Sequence, residues 1–76
     1  MALNFFKLHQ QKFLNVKYTI APDGTLVPYR IDSNEKQYFI IVLRFREISP
    51  ARWRYTVKID GRKKYLYRAG YEWWME

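Results

Sequence analysis

Nine basic residues lie between Arg44 and Arg68: Arg44, Arg46, Arg52, Arg54, Lys58, Arg62, Lys63, Lys64 and Arg68. Only Glu47 and Asp60 oppose them, so this stretch carries the whole net charge of +7. The remaining residues hold five basic and five acidic groups and cancel. Charge gathered in this way draws in polyanions and suits a nucleic-acid partner or an acidic protein. Arginine is apt for the first, because its planar fork donates paired hydrogen bonds to phosphate and to guanine edges. The competing role is solubility, since a domain rich in exposed aromatics needs charge to stay dispersed.

Other site chemistries are poorly supplied. His9 is the only histidine and there is no cysteine, so no catalytic thiol and no zinc set can be assembled. Ser33 and Ser49 sit in turn contexts that account for them. The seven acids are scattered, and the three glycines fall at turns or breaks, not in a phosphate-cradling loop. The expectation is no enzyme, no catalytic residues, no metal and no cofactor. The positive charge argues against a nucleic-acid mimic, which would have to be acidic.

The elements that must carry these cations read as mainly β. Turn signals recur at Pro22-Asp23-Gly24, Asp32-Ser33-Asn34, Ser49-Pro50 and Asp60-Gly61, with β-branched and aromatic runs between them. The strands expected are Phe13–Ile20, Thr25–Ile31, Gln37–Glu47, Arg52–Asp60 and Lys63–Ala69. In the first, Leu14, Val16, Tyr18 and Ile20 share one face, as period two requires. The third is apolar on both faces from Tyr38 to Leu43 and should therefore be central and doubly covered. Pro28 lacks a ladder donor, which places the second strand at an edge. Phe39, Ile41, Leu43, Phe45, Trp53 and Tyr55 are expected to be buried together. Asn4–Gln11 and Tyr71–Met75 read as short terminal helices, the latter following the break at Gly70. Two architectures satisfy this pattern: a small antiparallel sheet packed by a terminal helix, or a barrel of about five strands.

Residues 52–69 form the most informative hairpin. Trp53, Tyr55, Val57 and Ile59 alternate with Arg52, Arg54, Thr56, Lys58 and Asp60. A two-residue Asp60-Gly61 turn would pair Ile59 with Arg62 and mix polarity on both faces. A three-residue loop with a bulge at Gly61 would pair Lys58 with Arg62 and set Tyr65 and Tyr67 beside Tyr55 and Trp53. A one-residue slip moves every side chain across the sheet, so burial is expected to select the second, polarity-segregating register. It gathers Arg52, Arg54, Lys58, Arg62, Lys64 and Arg68 on one face, continued by Arg44 and Arg46 of the preceding strand. Like charges facing one another across strands are unfavourable, and a bound polyanion would relieve them. A two-stranded ribbon also has the width to enter a DNA major groove.

The run Trp53-Arg54-Tyr55, Asp60-Gly61-Arg62-Lys63-Lys64 and Gly70-Tyr71 resembles the three-stranded arm-type DNA-binding domain of phage and transposon integrases. The likeness covers about a quarter of the chain. It implies a strand, a glycine turn and a basic return strand leading through a glycine-aromatic step into a helix, with DNA more fitting than RNA as partner. That helix would be very short here.

Seventy-six residues make a single domain, 1–76, of modest stability, because so short a chain buries only about 60 % of its unfolded surface. Without disulfides or zinc, the available staples are fifteen aromatics and self-association as a homodimer. Tyr71, Trp73 and Trp74, like Phe5, Phe6 and Leu8, either finish the core or form an interaction patch. No apolar run approaches the roughly 20 residues of a membrane span, and the lack of cysteine fits the cytoplasm. The sequence thus reads as a small basic DNA-binding accessory protein, as from a phage or mobile element. The alternative is an interaction module or inhibitor that grips an acidic protein.

Overall fold

The computed structural model describes residues 13–76. Seven antiparallel strands follow one another: β1 (Asn15–Ile20), β2 (Leu26–Ser33), β3 (Lys36–Phe39), β4 (Ile41–Ser49), β5 (Arg52–Ile59), β6 (Arg62–Ala69) and β7 (Glu72–Met75). They form two sheets, ordered β1-β2-β3 and β4-β5-β6-β7. Among the described residues there is no helix, and neither sheet closes into a barrel. The expected mainly β class therefore stands. The count of five strands becomes seven, and the segment expected as the helix Tyr71–Met75 is largely strand β7. The expected helix at residues 4–11 lies outside the described residues.

Turn chemistry explains most of the hairpins. Asp60 (φ 53°) and Gly61 (φ 75°) are both left-handed, which makes a two-residue turn whose twist matches the flanking strands. Asn34 and Glu35 (φ 49° and 65°) do the same between β2 and β3. Pro50-Ala51 combines a fixed φ with a left-handed alanine (φ 63°), a position that normally falls to glycine.

The long apolar strand expected at Gln37–Glu47 is two strands. Ile40, buried between β3 and β4, carries the chain from one sheet to the other, and its N–H donates to the Tyr29 carbonyl at 2.9 Å. Each half then lies at a sheet edge, not at a centre. Tyr38 and Val42 pack against the core, but Phe39 and Ile41 are 65 % and 62 % exposed, and Leu43 and Phe45 are exposed as well. The expected burial of those four is thus corrected, while Tyr55 is buried and Trp53 half-buried.

Pro28 is the second correction. Strand β2 is the centre of its sheet, and Pro28 is fully buried. The β1–β2 register shifts between Lys17 and Tyr18, leaving Tyr29 as the extra residue beside Pro28. A bulge is the other place where a strand tolerates a missing donor. The shift also keeps Leu26, Pro28 and Ile31 in phase with Ile20, Tyr18 and Val16. That face packs on Tyr55, Val57, Ile59, Leu66 and Trp73 of the second sheet to make the core. Backbone and side-chain hydrogen bonds tie the sheets together: Leu14 N–H to Trp73 O (2.8 Å) and Tyr55 Oη–H to Leu26 O (2.7 Å).

Candidate functional site

The two-residue turn decides where the cations go. Ile59 pairs with Arg62, Val57 with Lys64, Tyr55 with Leu66 and Trp53 with Arg68. The expected bulged register is therefore incorrect. It would have turned Leu66 outward, whereas Leu66 is fully buried opposite Tyr55. The apolar demand for Leu66 and the ready Asp-Gly turn act together and outweigh the neater segregation of tyrosines from cations.

Arg62, Lys64 and Arg68 consequently share the face that carries the core. Arg62 and Lys64 stand at the rim of a cleft of about 530 Å³ between the sheets, above Leu14, Ile31, Tyr38 and Ile59. Arg68 is half-buried. Its Nε donates to Tyr55 Oη (3.1 Å) and Nη1 to Gly70 O (2.8 Å), and its guanidinium lies 5.7 Å from the ring centroids of both Trp53 and Trp73. It passes a hydrogen-bond chain through Tyr55 to Leu26 and so links the sheets.

The opposite face, open among the described residues, collects the other sequence-expected cations. Arg44 pairs with Thr56, Arg46 with Arg54, and Lys58 with Ile41, so Arg44, Arg46, Arg52, Arg54 and Lys58 share one side. Lys63, opposite Lys58, joins them. Arg46–Arg54 and Lys58–Lys63 are like charges set directly across strands, an unfavourable arrangement. Among the described residues the one ion pair is Arg30–Asp32, on the other sheet, so none of these six cations is matched by a described carboxylate.

Aromatic rings lie on the same open face. Tyr65 pairs with Thr56 and Tyr67 with Arg54, and Tyr67 stacks on Trp74 at 5.9 Å. The Arg54 guanidinium sits 4.9 Å from the Tyr65 ring centroid, and Lys63 Nζ 5.9 Å from it. Beside them, Arg44, Phe45, Arg46 and Arg54 surround a shallow recess of about 280 Å³ in which Thr56 is buried. Lys63, Tyr65, Tyr67 and Trp74 were not expected here. The signal that would have placed Lys63, Tyr65 and Tyr67 is the Asp60-Gly61 dipeptide, the strongest short-range mark of a two-residue hairpin, while Trp74 follows from its pairing with Tyr67.

The β5–β6 hairpin is not a free ribbon, because β4 and β7 flank it on both sides. The likeness to the integrase arm domain also ends at Gly70, which leads into a strand. Compared with protein-family models, curated proteins and solved structures, the chain has no match in any of the three. What the geometry defines is a class of surface: an open antiparallel sheet face, basic and bearing aromatics. No group of three or more metal-ligating side chains forms among the described residues, and no helix there is long and apolar enough to cross a membrane.

Proposed function

We propose that the chain binds nucleic acid through the open face of β4-β5-β6-β7. The observation that carries this reading is a set of six cations that no described carboxylate matches, Arg44, Arg46, Arg52, Arg54, Lys58 and Lys63, two pairs of which repel across strands. The core does not require this repulsion, and a bound polyanion would neutralise it. Arg62 and Lys64 lie on the far side and add to the long-range field, while Arg68 serves the fold. An accessory role without catalysis, in the cytoplasm and with DNA as polyanion, completes the proposal.

Titration of fluorescent oligonucleotides at several salt concentrations tests it. Contacts with four to six phosphates give a log–log slope of about −3 to −5, because each neutralised phosphate releases counterions. A flat salt response, or no binding at low salt, rejects it.

A second reading, an acidic protein or a second copy of the chain as partner, is favoured by β4. Among the described residues this nine-residue strand lies at a sheet edge and exposes Ile41, Leu43, Phe45 and Ile48 beside unpaired backbone groups, a template for strand addition. Its bulges near Leu43 and Ile48 and its arginines oppose such pairing. Concentration-dependent sedimentation checks the homodimer.

A further inference from the structure

We infer that the ligand of the open face is a single strand, with a base stacked on Tyr65 and its phosphate seated among Arg44, Arg46 and Arg54. This inference rests on the nucleic-acid reading and specifies its substrate.

Width is the first reason. Beside Leu66–Ala69, where all four strands run together, a spacing of about 4.8 Å gives roughly 14 Å between the outer backbones, before side chains are added. The major groove is about 12 Å wide and takes a helix or a two-stranded ribbon. With β4 hydrogen-bonded along β5, and β7 beside Leu66–Ala69, the hairpin is not the free two-stranded ribbon that fits this groove. A duplex keeps its bases stacked, so they present no free faces to an aromatic ring.

The second reason is the position of Tyr65. Strand β7 reaches back along β6 only to the Leu66–Met75 pair, so Tyr65 lies just past its end. Tyr65 is 38 % exposed, whereas Trp74 is 9 % exposed and covered by Tyr67 and Phe13. Tyr65 is thus the aromatic of this face best placed to receive a base. Stacking on such a ring is sequence-tolerant, because every base has a π-face.

Arg54 joins the two features. It lines the recess around Thr56 and also approaches the Tyr65 ring at 4.9 Å. One nucleotide can therefore place its base on the ring and its phosphate in the three-arginine recess. Phosphate contacts set position and salt dependence, while stacking adds affinity that salt does not screen.

The experiment uses the full chain with labelled oligo-dT, oligo-U and a mixed-sequence duplex at matched salt. Oligo-dT or oligo-U should bind at least tenfold more tightly than the duplex. Tyr65→Ala should weaken single-strand binding by about tenfold to a hundredfold, with the salt slope unchanged. Tyr65→Phe, which keeps the ring, should retain the affinity of the parent, and Arg54→Gln should flatten the slope by about 0.7. Circular dichroism confirms that each variant is folded. Duplex binding as tight as single-strand binding, with Tyr65→Ala neutral, overturns this inference and leaves the nucleic-acid reading standing. Absence of binding to all three probes at low salt overturns both.

Discussion

Arg68 and Arg54 sit on neighbouring strands of one sheet, yet their surroundings differ. Arg68 faces the core side, half-buried, with Tyr55 Oη and the Gly70 carbonyl as hydrogen-bond acceptors and two indole rings beside it. Arg54 faces the open side, shares a recess with two more arginines and meets Arg46 across the ladder. One arginine is held by groups that the fold supplies. The other is set among like charges with no described carboxylate to satisfy it. Residue type alone therefore does not divide structural from functional cations; the face does, and the face follows from the register of one turn.

The largest effect expected is on the core side. Leu66→Ala should cost about 2–5 kcal/mol, enough to unfold much of so small a domain, as read by urea denaturation. Under the alternative bulged register Leu66 would face solvent, and the same change would fall within about 0.5 kcal/mol. Arg68→Met comes next. It leaves the buried Tyr55 hydroxyl and the exposed Gly70 carbonyl without this donor and should cost about 1–3 kcal/mol, with the salt slope of oligonucleotide binding unchanged. On the open face the sign reverses. Arg46→Thr removes a cross-strand repulsion and should raise stability by about 0.2–1 kcal/mol while weakening binding.

The smallest effect lies at the β1–β2 turn, outside either face. The Thr25 backbone N–H donates to the Asp23 carboxylate at 2.9 Å, and the Thr25 side chain adds to it, holding Asp23 below the ordinary carboxylate range. A depressed folded pKa means stability that is present above the unfolded value, about 3.9, and lost as pH falls through the folded value. Asp23→Asn should flatten that acid limb slightly in thermal melts recorded across pH.

Much of the architecture was legible from the sequence because turn residues and period-two alternation are local. The hairpin strands Arg52–Ile59 and Arg62–Ala69, the even-numbered face of β1 and five of the eight expected cations on one side follow from them. The misreadings have physical causes. Tyr38–Leu43 is apolar on both faces whether it is one covered strand or a chain switching sheets at Ile40, and periodicity alone does not separate the two. Pro28 marks an edge or a bulge equally well. Polarity segregation between β5 and β6 alone favours the bulged register, and the burial of Leu66 reverses it. Tyr71–Met75 is too short for its period to distinguish a helical turn from a strand.

The central claim, that the open-face arginines serve a polyanion and not the fold, is tested most directly by one variant carrying Arg44→Gln, Arg46→Gln and Arg54→Gln. The measurement is its salt-dependent single-strand affinity alongside its thermal midpoint. The expected result is a log–log slope flatter by about 2, with the midpoint unchanged or raised. A variant that stays folded and binds with the affinity and slope of the parent would contradict the account.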